Sequence, residues 1–520
     1  MTLDYLIIGA GPAGLQLAAL LEADGRRDYL VLEGADIPGA FFASYPRHRQ
    51  LISINKPHTG SDDPELNLRL DWNSLLSDDP ALRFTTYTER YFPDAEVMVR
   101  YLADFATRTG VKVRYDARVT SVSKVDGVFE VRAGETFRAR RLIVATGVSR
   151  PYLPEIPGLE LAEQYADMSV DPRDYLDQRV LIIGKGNSAF ETADNLMETT
   201  TLIHLAGPSS IRMAWRTHYV GHLRAVNNNF LDTYQLKSAN AILDGTVRRI
   251  TRDADGYTVT FAFSRADEVT KELRYDRVLA CTGFAFDSSI FDDSCRPALA
   301  IRDRFPAQTP GWESVNVPDL FFAGTITQER DFKRSTSGFI HGFRYGVRAL
   351  HRILECRYGE TPWPAEKLDA NPAAIADAIV ARVNRTSALW QQFGVLGDVI
   401  TVDGPDARYH DEVPVEYFTQ TGLRTADHDY GHAFVVTLEY GPEHDQVDPF
   451  DITVSRVAQD VVGQAHDAAY LHPVVRHHRA GQVVATHHLA ENLENRWDRT
   501  EVHVAPLAAF LDRCLRRVED

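Results

Sequence analysis

The chain is poor in cysteine and contains no long apolar run. Only 4 of its 520 residues are cysteine, and none belongs to a Cys-x-x-Cys pair, so the dithiol relay of a disulfide reductase is not expected. The absence of any run of about 18 apolar residues argues against a membrane-spanning helix. Acidic residues outnumber basic residues by 73 to 56, so the net charge is −17, and this disfavours nucleic acid and anionic membranes as partners.

The overall composition is that of an ordinary globular protein. Hydrophobic residues make up 44% and charged residues 25% of the 520 positions, a length that predicts about two to four domains. A predicted core strand follows Met1 almost at once, so we expect no cleavable signal peptide. Together with the low cysteine content, this predicts a location in the reducing cytoplasm.

A glycine-rich turn near the N-terminus follows a short apolar run at residues 5–8, which predicts a fully buried strand. The first glycine permits a tight turn, the second lets the backbone approach a pyrophosphate, and the third lets helix and strand pack closely. Glu33 ends the next predicted strand, where a carboxylate accepts hydrogen bonds from a ribose. We therefore predict an FAD site whose contacts include Gly9, Gly11, Pro12, Ala13, Gly14 and Glu33.

A second fingerprint follows the apolar run at 179–183 and predicts a second dinucleotide at Gly184, Gly186, Asn187, Ser188 and Ala189. No carboxylate ends the next predicted strand at 201–205. A carboxylate there would repel a 2′-phosphate, so its absence favours NADPH. Arg212 or Arg216 is the predicted phosphate ligand; the alternative is that both are solvated loop residues.

Two dinucleotides on one chain let one pass electrons to the other, which predicts a flavoenzyme supplied by a nicotinamide. The fold class is α/β, with two Rossmann-like domains and a C-terminal mixed α+β extension. We predict a discontinuous FAD domain at 1–160 and 275–355, an NADPH domain at 161–274, and an extension at 356–520 that caps the cleft or forms a homodimer. Further cofactor contacts are predicted at the ends of strands, at the crossovers between domains and at the start of a helix. These residues are Thr146, Gly147, Gly283, Gly324, Ser337 and Ile340.

The Gly-x-Gly-Asn-Ser-Ala-x-Glu pattern at 184–191 resembles the class B flavoprotein monooxygenases, the flavin-containing monooxygenase type. The resemblance is closest to a branch of FAD-dependent oxidoreductase-domain proteins associated with degradation in the endoplasmic reticulum. This chain is expected to be a version without their signal peptide, so a lumenal role is not transferred. The resemblance spans nearly the whole chain and rests on the segments 52–56, 169–172, 184–193, 217–225, 231–238, 337–345, 393–400 and 471–474.

The resemblance implies an FAD- and NADPH-dependent monooxygenase. In such enzymes NADPH reduces the flavin, O2 adds at flavin C4a, and the hydroperoxide gives one oxygen to a small nucleophile. N-hydroxylation of an amine or amino acid is the preferred version. The alternatives are an NADPH-dependent reductase that passes electrons to another acceptor, and a non-catalytic protein that retains its nucleotide.

Four residues are candidates for catalysis. Asn55 matches the family's asparagine near flavin C4a and is predicted to hydrogen-bond the intermediate; the alternative is a turn residue. Lys56 is predicted to neutralise developing charge or to hold a phosphate. His218 and Tyr219 are predicted to line the nicotinamide or substrate site, and the alternative is that both are core side chains.

No metal site is predicted. A group of histidines near the C-terminus has a spacing that fits no standard zinc pattern. These residues are His472, His477, His478, His487 and His488.

Overall fold

The computed structural model describes residues 2–235, 239–267, 269–423 and 431–516. The first 160 residues build most of one sheet, and its strands follow apolar runs such as the one that ends at Ile8. The elements are β1 (Thr2–Ile8), α1 (Pro12–Asp24), β2 (Tyr29–Leu32), α2 (Phe41–Ser44), α3 (Pro64–Asn67), α4 (Ala95–Thr109), β3 (Val113–Arg114), β4 (Ser121–Val125), β5 (Val128–Ala133), β6 (Glu135–Val144) and β7 (Arg150–Pro151).

The next segment builds a second sheet with the strand order β13-β12-β11-β10-β9-β14-β8. Strands β8 to β11 and β14 pair in parallel, as a Rossmann-like domain requires, while β12 and β13 extend the sheet in antiparallel fashion. The elements are β8 (Glu163–Gln164), β9 (Arg179–Ile183), α5 (Asn187–Leu196), β10 (Leu202–Gly207), α6 (Ala214–Thr217), α7 (Asn229–Gln235), β11 (Ala241–Asp253), β12 (Gly256–Phe263), β13 (Thr270–Tyr275) and β14 (Arg277–Ala280).

The chain then returns to the first sheet, whose order is β3-β2-β1-β6-β5-β4 with β18 beside β6. The returning elements are β15 (Phe284–Ala285), β16 (Leu299–Ala300), β17 (Phe305–Pro306), β18 (Leu320–Phe322) and α8 (Ile340–Tyr358). Because β14 pairs with β9 and β15 pairs with β7, the crossover lies near Gly283. The predicted domain boundary at 275 is thus several residues too early, since residues 277–280 complete the second sheet.

The C-terminal segment forms an antiparallel sheet with helices, in the order β19-β21-β20-β22-β23-β24. Its elements are β19 (Glu366–Asp369), α9 (Pro372–Arg385), α10 (Ala388–Gln391), β20 (Leu396–Asp403), β21 (Asp406–Pro414), α11 (Val415–Thr421), β22 (His432–Glu439), β23 (His472–Arg479), β24 (Gln482–His488) and α12 (Ala505–Arg516). Its apolar core is continuous with the core around α1, α4 and α8. This segment therefore folds against the first domain rather than as a separate body.

A buried ion network joins the two parts. Glu412 at the end of β21 is 1% exposed and accepts from Arg348 Nε of α8 at 2.7 Å and from Arg382 Nη2 of α9 at 3.3 Å. Burial alone would raise the pKa of Glu412, but the surrounding arginines lower it to about 2. The carboxylate is therefore ionised and fixes α8 against the C-terminal sheet.

The C-terminal histidines form pairs. His432 Nδ1 lies 2.8 Å from His477 Nε2, and His472 Nε2 lies 2.9 Å from His488 Nδ1. Within the described residues, no group of three or more histidine, cysteine or acidic side chains has metal-binding geometry. Nor does any helix there have the length and apolar character needed to cross a bilayer.

Candidate functional site: a cleft between two fingerprint helices

The first fingerprint has the geometry that its glycines predict. Gly9 has φ 104°, and a Cβ at Gly14 would lie 2.0 Å from the Gly9 carbonyl oxygen, so the strand and α1 pack too closely for a side chain. A Cβ at Gly11 would have nothing within 4 Å. This space lies at the N-terminus of α1, where unpaired N–H groups face the cleft. The loop therefore fits a pyrophosphate.

Glu33 supports this loop from the adjacent strand end. Its carboxylate accepts hydrogen bonds from the backbone N–H groups of Ala10 at 2.8 Å and Ala35 at 3.0 Å. The acid thus holds the glycine-rich turn in place. Its predicted contact with a ribose stays a prediction.

The second fingerprint repeats this geometry at the N-terminus of α5. Gly184 has φ 141°, and a Cβ there would lie 2.3 Å from the Cys281 carbonyl oxygen, whereas a Cβ at Gly186 would have nothing within 4 Å. Asn187 Oδ1 accepts from the backbone N–H of Arg224 at 2.9 Å, and its Nδ2 donates to the His222 carbonyl at 2.9 Å. The fingerprint asparagine therefore fixes the 221–227 loop against α5. Ser188 lines the cleft, and Ala189 is buried behind it.

The two predicted phosphate ligands are exposed, whereas Lys185, which was not predicted, lies at the end of β10. Arg212 and Arg216 are exposed, and Arg216 Nη2 donates to the Gln446 carbonyl at 2.8 Å. Lys185, between the fingerprint glycines, instead extends over the end of β10, with Nζ 2.5 Å from Asp244 Oδ1. The sequence alone did not reveal Asp244, because this acid comes from the neighbouring strand β11 rather than from β10.

The two fingerprints open into one cleft with a volume of about 670 Å³. The predicted contacts Gly11, Pro12, Ala13, Thr146, Gly147, Asn187, Ser188, Gly324 and Ile340 line it. Ser337 is buried outside the cleft, and its hydroxyl donates to Gln392 Oε1 at 3.1 Å. Gly283 lies at the crossover, where its carbonyl accepts from the Tyr152 N–H at 2.9 Å. One space therefore extends from the α1 N-terminus to the α5 N-terminus.

The predicted catalytic pair Asn55 and Lys56 does not line this cleft. Asn55 is fully buried, and its Nδ2 donates to the carbonyls of Thr88 at 2.8 Å and Arg90 at 3.1 Å. Lys56 is exposed. The side chain of Asn55 thus connects backbone segments, as in the alternative that the sequence left open, while Ser53 of the same segment does line the cleft.

His218 and Tyr219 lie behind the cleft wall. The His218 ring stacks on Tyr440 of the C-terminal segment at 4.3 Å, and burial lowers the pKa of His218 to about 4. Tyr219 is buried and packs edge-to-face on Phe339, 5.9 Å between centroids, and Phe339 in turn lines the cleft. These two residues therefore support the wall and the contact between domains. Of the resemblance segment at 231–238, positions 236–238 lie outside the described residues.

Among the cleft-lining side chains that sequence reasoning missed are Trp72, Glu191, Arg224 and His341. Glu191 follows the second fingerprint on α5, and burial, together with Asp194, raises its pKa to about 7. The others come from three separate parts of the chain, so no local pattern brings them together. The only available signal was that Glu191, Arg224 and His341 fall within segments that carry the family resemblance.

The C-terminal segment supports this wall indirectly. Arg69 donates to the carbonyls of Val383 at 2.8 Å and Thr386 at 2.9 Å, and its own carbonyl accepts from the Trp72 indole N–H at 3.1 Å. No residue beyond Phe343 lines the cleft within the described ranges. The extension thus holds the Trp72 loop from behind instead of covering the cleft.

Two Rossmann-like domains whose fingerprint helices meet at a shared cleft define a two-dinucleotide flavoprotein oxidoreductase. The family model described as pyridine nucleotide-disulphide oxidoreductase matches residues 6–324. The chain is 40% identical to FAD-dependent oxidoreductase domain-containing protein 2 of Mus musculus, over 98% of this chain and 84% of that protein. The chain therefore belongs to the pyridine nucleotide-disulphide oxidoreductase family.

Monooxygenases are among its relatives. The chain is 28% identical to indole-3-pyruvate monooxygenase YUCCA1 of Oryza sativa over 46% of this chain and 58% of that protein. A flavin-containing monooxygenase from Stenotrophomonas maltophilia has the same fold, with a TM-score of 0.52 and 21% identity over 68% of this chain and 99% of that one. The predicted α/β two-dinucleotide fold is confirmed, the sequence is similar to flavin monooxygenases, and family and relatives imply FAD and NADPH as cofactors.

Proposed function

We propose that the protein is an NADPH-dependent monooxygenase that inserts one atom of O2 into a small nucleophile, preferably by N-hydroxylation of an amine or amino acid. The observation that carries this proposal is the single cleft that joins the two fingerprint helices. Two bound dinucleotides would meet in this space. In the overall reaction NADPH supplies two electrons and the second oxygen atom leaves as water.

The chain's own residues supply binding and exclusion of water. Bound FAD supplies hydride acceptance and the activation of oxygen. The N-termini of α1 and α5 provide N–H groups for two pyrophosphates, and Gly11 and Gly186 leave room for them. Aromatic side chains make much of the remaining wall, among them Phe41, Phe339 and Phe343. An apolar wall favours oxygen transfer over the release of peroxide, because it keeps water from the reacting atoms.

The position of Glu191 in the cleft favours a substrate whose nucleophile is a nitrogen atom. An amine attacks oxygen only in its neutral form, so an ammonium substrate must first lose a proton. A carboxyl group whose pKa is raised to about 7 by burial accepts a proton near neutral pH. Glu191 is the acidic side chain among the described residues that line the cleft, and we assign it the role of base.

The test compares NADPH oxidation with hydroxylated product. FAD-loaded protein is incubated with NADPH, O2 and a panel of amines and amino acids, and NADPH, H2O2 and product are quantified. We expect one product molecule per NADPH for an accepted substrate. Gly186→Ala should raise the KM for NADPH, since its methyl group projects into the predicted phosphate space. Gly463→Ala, at another open glycine position in the C-terminal segment, is the matched control.

Stoichiometric H2O2 with every compound would refute oxygen insertion. NADPH oxidation that requires a quinone or another electron acceptor under anaerobic conditions, with no hydroxylated product in air, would identify the reductase alternative. None of the cysteines lines the described cleft, so a disulfide substrate is not part of either proposal. The cytoplasmic location and a homodimer stay predictions.

A further inference from the structure

Arg224 presents an unpaired positive charge to the cleft. Its backbone N–H is held by Asn187, and its Nη1 donates to the Ile52 carbonyl at 2.9 Å. Its guanidinium carbon lies 5.3 Å from the centre of the Trp72 ring. No carboxylate of the described residues lies within ion-pair distance of it. The other donors of a planar five-donor fork are therefore available to a ligand.

Arg344, near Arg224, has a purely structural role and serves as a comparison. It is fully buried, and its Nη atoms donate to the carbonyls of Leu68, Asp71 and Ser74 at 2.7 to 2.9 Å. These bonds shape the loop that carries Trp72. Arg224 makes only one such bond and lines the cleft, so backbone support accounts for little of its hydrogen-bonding capacity.

His341 lies on the same wall and has an unsatisfied nitrogen. The residue is 2% exposed, and its ring stacks on Trp72 with 4.2 Å between centroids. Its Nε2 is buried without a hydrogen-bond partner in the part of the chain that the structure describes. Burial, together with Arg344 and Arg224, holds the pKa of His341 well below its usual range, so the ring is neutral. In the Nε2–H tautomer of the neutral ring, Nε2 donates one hydrogen bond to an acceptor.

An unpaired half-buried cation and an unsatisfied buried nitrogen are both costly, and one ligand can satisfy both. A carboxylate matches the guanidinium fork and accepts further hydrogen bonds. We propose that Arg224, together with His341 and Trp72, which line the same cleft, binds a carboxylate of the substrate. This inference rests on the proposed function and narrows its substrate from amines in general to nucleophiles that carry a carboxylate, such as amino acids.

The test measures binding separately from turnover. Benzoate and its neutral analogue benzamide are titrated into oxidised, FAD-loaded protein, and binding is followed by the flavin absorbance spectrum and by tryptophan fluorescence. The variants are Arg224→Gln, Arg224→Lys and His341→Phe, which keeps an aromatic ring but removes Nε2. Arg249→Gln removes an exposed arginine from β11 of the same domain and is the matched control. FAD content and melting temperature are checked for each variant.

We expect benzoate to bind the wild-type protein at least tenfold more tightly than benzamide. Arg224→Gln should weaken benzoate at least tenfold and leave benzamide unchanged, while Arg224→Lys should fall between, because lysine keeps the charge but not the fork. His341→Phe should weaken benzoate about threefold to tenfold.

Equal binding of benzoate and benzamide, no benzoate binding, or equal benzoate affinity in wild type and Arg224→Gln would overturn the inference. If benzoate binding depends on Arg224 but no substrate is oxygenated, the carboxylate site stands and the monooxygenase proposal fails. These outcomes keep the two proposals distinguishable.

Discussion

Replacing Gly11 with alanine should lower the affinity for FAD without harming the fold. The backbone at Gly11 has φ −74° and ψ −178°, which alanine adopts freely. The added Cβ would meet no protein atom within 4 Å, so it would project into the space that we assign to the pyrophosphate. Loss of one charged hydrogen bond to phosphate costs about 1.5–3 kcal/mol. The Kd for FAD should therefore rise about 10- to 150-fold.

The assay is a fluorescence titration of apoprotein with FAD, combined with thermal unfolding of the apoprotein. The melting temperature of Gly11→Ala should stay close to that of wild type. Gly14→Ala is the informative contrast, because its Cβ would lie 2.0 Å from the Gly9 carbonyl oxygen. That variant should lose about 1–3 kcal/mol of stability, since α1 must move away from the strand. An unchanged Kd for FAD in Gly11→Ala would refute our assignment of the space.

Three further predictions concern other parts of the site and the fold. Lys185→Met should lower the preference for NADPH over NADH about tenfold in kcat/KM, because the ammonium group lies at the strand end where a 2′-phosphate would bind. Burial raises the pKa of Glu191 from 4.5 to about 7, so the ionised form is disfavoured in the fold and stability should fall as pH rises between these values. Glu191→Gln should flatten that slope in melting temperature against pH. Glu412→Gln should cost about 3–5 kcal/mol in unfolding experiments, because it removes the buried carboxylate that pairs with Arg348 and contributes to the charge balance of Arg382. Asp498→Asn, in an exposed pair, should leave stability unchanged.

The domain plan could largely be predicted from local patterns. An apolar run, a glycine-rich turn and a helix follow each other directly in the chain, so both fingerprint units were apparent at residues 5–24 and 179–196. The crossover near Gly283 was not located correctly. Strand β14 has no local signal that assigns it to one sheet, and only its pairing with β9 does so.

The side chains that line the cleft could not be predicted in this way. Asn55 belongs to a matching segment, yet its side chain is used by the carbonyls of Thr88 and Arg90. Whether an asparagine side chain faces a cleft or the backbone behind it depends on its side-chain rotamer. Contacts with other segments of the chain select that rotamer, so the local sequence does not reveal it.

By itself, the sequence determined where two dinucleotides can bind, because each fingerprint requires only a few consecutive residues with particular steric properties. Glycine at positions 9 and 14 follows from backbone contacts that no other residue permits. The tertiary structure alone decided which side chains share the cleft. Trp72, Arg224 and His341 come from distant parts of the chain, and they meet because the two sheets and the C-terminal segment pack around one space.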